Sequence, residues 1–568
     1  LMKHKSIKSR TQIRLQKRKV TMMRSKSTIY GNYTLSKAPI DIEIQRSQFN
    51  RPNKHLTTMN AGLLYPVYED EILPGDSVKL DVNAIIRMAT PIAPVMDDAY
   101  IDFYCFFTPS RLVWPHTAEF YGENKSGYWT QLVSYQIPHL VDNSNDDYPV
   151  LPKSVADYME TAIGNQSTLD ARYPRSYAMI WNEFFRDENL MPSAVVDLGD
   201  ADANFGDLSD PWTQATYGGA LLPVCKFHDR FTSALPAPQR GPAVGVPVSA
   251  LAIVNNTSEL TKKFQPLWYK SDNTKAAADT SLFIGTDGKT VTRGSTTGVD
   301  TDVYLNLKTD GTAKINVTDL RLAFALQRVY EKLARSGTRF RECLKALYGV
   351  DNGDARMQVP EFLGHVRQRI GMQQVIQTSG SNISGSTTPQ GNTAAYSLSG
   401  LKGELCNKSF TEPGVLMVVC CIRAQHSYSQ GVPRRYLKYN FGDVYVPAFA
   451  HLSEQPILNK ELYVTGNPSV DSAVFGYQEP WSEYRYKENA ITGEMRPDFA
   501  QSLDIWHYGD DYASTPQLSA GWIVEPRTNI DRTLAVTTHD QFICDMFFES
   551  LWSRPMPTYS IPGLIDHY

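Results

Sequence analysis

Val415 to Ile422 reads VLMVVCCI, and this unbroken apolar run decides the fold class. It has the length of a β-strand that is buried on both faces, and it is far shorter than the roughly 20 residues of a transmembrane helix. Tyr100 to Phe107 (YIDFYCFF) is a second strand, rich in aromatic residues and closed by Pro109. Ser77 to Met88 (SVKLDVNAIIRM) alternates apolar and polar residues, as a half-buried strand does. These segments predict a β-rich body.

The composition favours the same fold class. The chain has 568 residues, more than one hydrophobic core usually serves, so we expect several domains or one domain enlarged by long insertions. Its 34 prolines and 36 glycines are scattered along the chain, which is typical of many turns between strands. The cysteines are odd in number and far apart, and we interpret them as reduced core thiols of a protein made in a cytoplasm. They are Cys105, Cys225, Cys343, Cys406, Cys420, Cys421 and Cys544.

Two longer helices interrupt the strand pattern. From Arg175 to Asn189 apolar side chains recur at helical spacing, and Pro192 follows as a stop. We expect this stripe to pack on the body and not to bind a ligand, because such aromatic residues are most often buried. A second helix is predicted from Thr318 to Ser336, followed by a short one that ends at Gly349. The stripe of the second helix consists of Leu322, Leu326, Val329 and Leu333.

The composition changes between the two helices. Gly245 to Val317 is rich in Ser, Thr, Asn, Asp and Gly, and it predicts an insertion with a small β structure of its own. The pair Asp310-Gly311, with alternating apolar residues on both sides, predicts a hairpin. Surface loops often carry binding functions, but a loop without any such function is equally consistent with the sequence.

Charge is distributed unevenly. Ten of the 56 Lys and Arg residues lie between Leu1 and Lys26, and the rest of the chain has 46 basic and 60 acidic residues. A basic arm of this kind, here residues 1–28, either binds nucleic acid through its phosphates or is a solvated tail. Its basic residues include Lys17, Arg18, Lys19, Arg24 and Lys26. If the mature protein began at Met23, most of this charge would be lost.

The sequence contains no motif that predicts catalysis. We find no GxSxG, HExxH or phosphate-binding glycine motif, and no Cys and His spacing that would bind a metal. We therefore expect neither an enzyme nor a cofactor. The histidines are dispersed, and the acidic pair Asp510-Asp511 is interpreted as a solvated turn because charged side chains are mostly exposed.

Five long segments carry a family resemblance: RSYAMIWNEFFRDENL (175–190), DRFTSALPAPQRGPAV (229–244), FAHLSEQPILNKELY (449–463), VFGYQEPWSEYRYKENAITGEMRP (474–497) and RPMPTYSIPGLIDHY (554–568). In this order they resemble the major capsid proteins of gokushoviruses, small single-stranded DNA phages of the Microviridae. The resemblance spans about Ser47 to Tyr568. The basic segment before Met23 is not expected in that family, and Gly245 to Val317 corresponds to its variable insertion in position only.

The resemblance implies an all-β protein with a single eight-stranded antiparallel jelly roll, of which residues 29–244 and 318–568 form the two parts. The three strands quoted above would belong to it, and the two helices would lie outside it as subunit contacts. It further implies a T=1 icosahedral shell around a circular single-stranded DNA genome, assembled in the bacterial cytoplasm. Residues 245–317 would form a protrusion at the three-fold axes, and residues near the C-terminus a contact arm. A jelly-roll module without a shell, binding carbohydrate or single-stranded DNA, is the alternative.

The resemblance also implies partners: other copies of the chain, the genome, a small basic DNA-binding virion protein, a minor pilot protein and a host receptor, without membrane insertion. Candidate DNA contacts are basic and aromatic residues that could neutralise phosphates and stack on bases. They are Arg434, Arg435, Tyr436, Lys438, Tyr439, Tyr484, Arg485, Tyr486 and Lys487. The same residues could contact other subunits, since Tyr and Arg are enriched at protein interfaces. Candidate host-attachment residues are Asn306, Lys308, Asp310, Gly311 and Lys314.

Overall fold

Eight long strands form the body of the chain in the computed structural model, which describes residues 45–124, 135–142, 149–164, 167–245, 269–270, 282–284, 291–295, 298–300, 303–304, 317–376, 381–383, 386–388 and 393–559. They are β1 (Asn53–Met59), β2 (Tyr65–Ile72), β3 (Ser77–Met88), β4 (Ala99–Pro109), β5 (Glu361–Ile370), β6 (Ser399–Ser409), β7 (Gly414–Ala424) and β8 (Phe542–Arg554). The three strands predicted from the sequence are β3, β4 and β7, and their existence is confirmed.

The eight strands make two antiparallel sheets. The first sheet has the order β1-β8-β3-β6, and Ser47–Asn50 pairs with the same edge of β8 as β1 does. The second sheet has the order β2-β7-β4-β5. Strand β7 lies between two neighbours, which fits its unbroken apolar sequence. The chain is therefore β-rich, as expected.

One hydrophobic core lies between the sheets. The inward residues of β3, such as Leu80 and Val82, belong to the same buried cluster as Phe103 of β4 and Val418 of β7. At one edge the sheets come close enough to touch. A Cβ atom at Gly364 of β5 would collide with the backbone carbonyl oxygen of Leu405 in β6, so this crossing requires glycine.

Helix α1 (Arg172–Phe184) packs on the outer face of the second sheet. Its side chains Tyr177, Ile180 and Trp181 are fully buried, which confirms the predicted packing role. The helix ends earlier than the expected Asn189, because the Asp187 carboxylate accepts hydrogen bonds from two backbone N–H groups that follow it and turns the chain. The stripe of α1 is therefore covered within its own chain, and the role of this helix as a subunit contact stays a prediction.

Helices α2 (Val317–Ser336) and α3 (Phe340–Tyr348) have the predicted positions but a different environment. Gly349 has a φ of 71° and ends α3, as predicted. No residue of either helix is buried. In α2 three of the four predicted stripe residues are exposed, at 59% for Leu322 and 37% for both Leu326 and Val329, and the fourth, Leu333, is half-buried. The stripe of α2 is therefore not part of the core.

Shorter elements fill the connections. The further strands are His139–Val141, Thr168–Asp170, Ala203–Asn204, Tyr269–Lys270, Leu282–Ile284, Val291–Ser295, Gly298–Asp300, Val303–Tyr304, Met372–Ile376, Ser381–Ile383, Ser386–Thr388, Thr393–Ser397, Gln455–Leu458 and Val474–Gln478. The further helices are Ser110–Val113, Thr117–Phe120, Val155–Tyr158, Pro211–Gln214, Asp354–Met357, Pro468–Asp471, Ser482–Arg485, Ala520–Ile523 and Thr528–Asp531. Single 3₁₀ turns occur at Ala215–Tyr217, Arg434–Tyr436, Phe441–Asp443, Pro447–Phe449, Asn459–Glu461, Gly493–Met495 and Asp504–Trp506.

Two further predictions concern the cysteines and the hairpin. All seven cysteines are free thiols, and all but the partly exposed Cys343 are buried, so the interpretation as core thiols is confirmed for the other six. Strand Val303–Tyr304 pairs with Tyr269–Lys270, and Val317 begins helix α2. The rest of the predicted hairpin, residues 305–316, lies outside the described residues. Among the described residues, no helix combines the length and apolarity needed to cross a membrane.

Candidate nucleic-acid interface

The two segments predicted to contact DNA lie next to each other in the fold. The Lys438 ammonium lies 3.8 Å from the centre of the Tyr484 ring. It also forms an ion pair with Glu483, with 3.3 Å between the Nζ and Oε1 atoms. A cation over an aromatic face is an attractive contact. One surface therefore combines residues that lie almost 50 positions apart in the sequence.

The buried guanidinium of Arg230 fixes the second of these segments to the body. It donates hydrogen bonds to Ser482 Oγ (3.0 Å), Glu488 Oε1 (2.7 Å) and Glu461 Oε2 (2.5 Å). A buried charge of this kind is tolerated only when it is paired and hydrogen-bonded. Sequence reasoning missed Arg230, because its partners lie more than 200 residues away along the chain.

The stretch 474–497 has an inner and an outer side. Phe475 and Trp481 are buried, and the Trp481 indole N–H donates a 2.9 Å hydrogen bond to the carbonyl oxygen of Phe449. Trp481 has a φ of 64°, which is strained for a non-glycine residue. Its backbone turns the chain into the short helix Ser482–Arg485, so that Tyr484 and Tyr486 lie at the surface. The irregular apolar spacing of the stretch follows from this division.

The exposed aromatic rings around the contact between Lys438 and Tyr484 form what we call the tyrosine surface. Its most exposed member is Tyr439, at 91%. Sequence reasoning identified four members and missed Phe441 and Tyr445, although both belong to the aromatic run YLKYNFGDVY (436–445). The tyrosine surface consists of Tyr436, Tyr439, Phe441, Tyr445, Tyr484 and Tyr486. Exposed rings in such number are unusual on a surface without a binding partner.

Three of the five predicted cations have partners within the chain. Arg434 donates to the carbonyl oxygen of Pro456 at 2.8 Å and lies 3.5 Å from Glu461 Oε1. Arg485 pairs with Glu479, and Lys438 with Glu483 as described above. These three side chains are largely neutralised by carboxylates, so their main role is to hold the surface together.

Arg435 and Lys487 differ from the other three cations. The Arg435 guanidinium lies 4.7 Å from the centre of the Tyr436 ring, and its hydrogen bond and charge lower the pKa of the Tyr436 hydroxyl. The charge of Lys487 also lowers the pKa of the Tyr436 hydroxyl. Within the described part of the chain neither cation forms an ion pair. Both are available to neutralise phosphates beside the exposed rings.

A second polar cluster is buried in the body, away from this surface. His426 lies between two carboxylates, with 2.8 Å from Nδ1 to Asp510 and 2.8 Å from Nε2 to Glu525. Lys226 lies 3.3 Å from the same Asp510. Burial alone would lower the pKa of His426, but the charges of Asp510 and Glu525 raise it to about 10. The cluster thus has two cations and two anions, and it joins the end of β7 to three loops.

The interpretation of Asp510 as part of a solvated turn was wrong. Its side chain is buried, while the neighbouring Asp511 is exposed as expected. Burial raises the pKa of Asp510, but His426 and Lys226 outweigh it and hold that pKa far below the ordinary value. Its partners lie 84 and 284 residues away along the chain, so no sequence motif indicated the cluster.

The remaining candidate residues lie outside the part of the chain that the structure describes. These are the basic-arm residues Lys17, Arg18, Lys19, Arg24 and Lys26, and the host-attachment candidates Asn306, Lys308, Asp310, Gly311 and Lys314. The last nine residues of the expected contact arm, 560–568, also lie outside that part.

Comparisons with known proteins agree with the resemblance seen in the sequence. The family model described as capsid protein (F protein) matches residues 38–564. The chain belongs to this capsid protein family. It is 36% identical over 543 residues to the capsid protein VP1 of Spiroplasma virus 4, covering 92% of this chain and 96% of that relative.

Two more relatives of this capsid family are similar over nearly their whole length. The capsid protein VP1 of Chlamydia phage 1 is 34% identical over 586 residues, covering 92% of this chain and 96% of the relative. That of Bdellovibrio phage phiMH2K is 33% identical over 550 residues, covering 95% and 99%. The resemblance to gokushovirus capsid proteins is confirmed. A capsid protein is a component of the virion and assembles with itself into a shell.

Proposed function

We propose that the chain is the major subunit of a small T=1 icosahedral shell that encloses a circular single-stranded DNA genome, and that its body is a single eight-stranded jelly roll. The strand order carries this proposal. Along the two sheets β1 pairs with β8, β2 with β7, β3 with β6 and β4 with β5. Pairing the first strand with the last, and so on inward, is the arrangement that a rolled-up antiparallel ribbon produces.

Sedimentation and electron microscopy of the purified full-length chain test this function. A shell subunit should give large, uniform, closed particles. A monomer or small oligomer would favour the jelly-roll module for carbohydrate or DNA that the sequence left as the alternative.

The tyrosine surface is, in this proposal, a contact with the packaged DNA. Exposed rings beside two unpaired cations, Arg435 and Lys487, are suited to stack on bases and neutralise phosphates without reading a sequence. Of the nine predicted contacts, Tyr436, Tyr439, Tyr484 and Tyr486 supply rings. Arg434, Lys438 and Arg485 act by positioning the surface. The alternative is that the same rings contact a neighbouring subunit.

Photo-crosslinking of DNA-filled particles separates these two possibilities. Peptides that contain Tyr436 or Tyr439 should carry crosslinked nucleotides, and Tyr439→Ala should lower the yield of that adduct. The matched control is Tyr348→Ala, which removes another highly exposed ring, at the end of α3. Crosslinks that fall elsewhere, or an equal effect of both variants, would assign the tyrosine surface to subunit contact.

The other parts of the proposal rest on the resemblance and the sequence. Residues 245–317 would form the three-fold protrusion and bind the host receptor, and residues 1–28 would contact nucleic acid. A small basic DNA-binding protein and a pilot protein would join the virion in the host cytoplasm.

Deleting residues 306–314 should leave particle assembly intact and abolish adsorption to cells. Loss of assembly would contradict this division of roles. We assign the chain no catalytic role.

A further inference from the structure

Helix α2 is attached to its own body through its polar side. The Gln327 amide donates a 2.5 Å hydrogen bond to Gln239 Oε1, and the carbonyl oxygen of Tyr330 accepts one from Arg240 N at 3.3 Å. Near its end, Arg335 pairs with the buried carboxylate of Glu454. The apolar residues Leu322, Leu326 and Val329, which we call the helix stripe, lie on another side and are exposed.

Three cations lie beside the helix stripe. Arg321, Arg328 and Lys332 are spaced seven and four residues apart, which places them on one side of α2. All three are exposed, and none forms an ion pair within the described residues. An apolar stripe flanked by unpaired positive charge is suited to a partner surface that is apolar and acidic.

Residues 195–210 of the same chain form a surface that is both apolar and acidic, and we call them the aspartate loop. Val195, Leu198 and Leu208 are exposed apolar residues in it. Its exposed carboxylates include Asp202 and Asp207, which accept hydrogen bonds from a backbone N–H and from Ser209, and have no Lys or Arg partner among the described residues. Phe205 is buried and Val195 N donates to the carbonyl oxygen of Trp212 at 2.8 Å, so the loop is a fixed surface.

We propose that the helix stripe of one copy docks on the aspartate loop of a neighbouring copy. This inference rests on the proposed shell function and names one contact within it. The contact joins two different surfaces, so each copy can donate a helix and accept one. Such a heterologous contact propagates into rings and closed shells, whereas a two-fold contact would end at a dimer.

Charge reversal tests the pairing of the two surfaces. The helix variant combines Arg321→Glu, Arg328→Glu and Lys332→Glu, and the loop variant combines Asp202→Lys and Asp207→Lys. Each should lower the particle yield of the full-length chain by about tenfold or more, because like charges then face each other. A chain with both sets of changes should recover most of the yield. The matched control is Lys402→Glu, an exposed lysine of β6, which should assemble normally.

The outcomes separate this inference from the proposed function. If the unchanged chain forms no particles, the shell function itself fails. If it forms particles and the helix variant does so equally well, the helix stripe is not a contact. If both single sets fail and the combination is not rescued, the aspartate loop is not its partner.

A disulfide crosslink gives a second measurement. Ala325 on α2 and Ala201 in the aspartate loop are exposed, and we expect Ala325→Cys with Ala201→Cys to form covalent multimers when particles are oxidised with diamide. Each single variant serves as the control for the native thiols. Crosslinks confined within one chain, or none, would overturn the docking. A lower melting temperature of the dissociated chain after Leu322→Ser would instead indicate that residues 246–316 of the same chain cover the stripe.

Discussion

Helices α1 and α2 have the same amphipathic pattern and opposite environments. In α1 the stripe residues Tyr177, Ile180 and Trp181 are fully buried against the second sheet. In α2 the stripe is exposed, and polar groups make the attachment to the body. An apolar stripe therefore indicates that a helix face will be covered, but not whether its own chain or another copy covers it.

The largest expected effect comes from removing a buried ring of α1. Trp181→Ala deletes a side chain that is fully buried and donates a 2.7 Å hydrogen bond to the carbonyl oxygen of Pro223. We expect the free energy of unfolding of the dissociated chain to fall by about 3–5 kcal/mol. Denaturant unfolding measures it. A loss below about 1 kcal/mol would mean that α1 is not part of the core.

Removing the contact between α1 and α3, the helix that follows α2, should have a somewhat smaller effect on stability. Arg339 pairs with Glu188 and donates to the carbonyl oxygens of Asn182 and Arg186, at 2.9 and 2.8 Å, so it ties the start of α3 to the end of α1. Arg339→Met should cost about 2–4 kcal/mol, because it removes the cation that pairs with the partly buried Glu188 carboxylate and leaves two carbonyl groups without this donor.

Hydrogen exchange shows where that loss occurs. Exchange should become faster in 317–348 and stay unchanged in α1. Faster exchange throughout the body would show that α2 and α3 are not a separate unit. Arg341→Met, which removes a partly exposed ion pair with Asp354, is the control and should have a small effect.

The pH dependence of stability tests the buried cluster around His426. Because the folded-state pKa of His426 is about 10 and its ordinary value is 6.5, the folded chain binds the extra proton between these values. The stabilisation is fully present below pH 6.5 and should decline towards pH 10, by at most about 1.4 kcal/mol for each pH unit. His426→Gln should remove this part of the slope. An unchanged slope in that variant would show that His426 is not protonated in the folded chain.

The smallest effect on the free energy of unfolding is expected from a substitution in the stripe of α2. Leu322→Ala should change the free energy of unfolding of the dissociated chain by less than about 1 kcal/mol, because more than half of this side chain is exposed. The same substitution should lower particle yield. A loss of 2 kcal/mol or more in the dissociated chain would remove the contrast between the two helices.

Local sequence patterns predicted the main strands. Most features that these patterns did not predict depend on contacts between residues that lie far apart in the sequence. Strands β3, β4 and β7 were identifiable because alternation and unbroken apolar runs depend only on neighbours in the sequence. The end of α1 was misplaced because the Asp187 carboxylate binds the backbone N–H groups of Asn189 and Leu190 and turns the chain before the predicted end.

The candidate site was predictable only in part. Basic and aromatic residues in two segments marked the tyrosine surface, but the sequence did not show that Lys438 lies on Tyr484 or that Arg230 anchors the second segment. Likewise nothing local connects His426 with Asp510 and Glu525, which come together only when β7 and two later loops meet. Partners of this kind depend on the whole fold.

Hydrogen–deuterium exchange of assembled particles and of the dissociated chain, compared at α1 and α2, tests the central claim most directly. Amide protection reports local stability, so a face that is covered only in the shell gains protection on assembly. We expect residues 317–336 to exchange at least tenfold more slowly in particles, while 172–184 exchange equally slowly in both states. Equal exchange of 317–336 in both states would contradict the claim that another copy covers this helix.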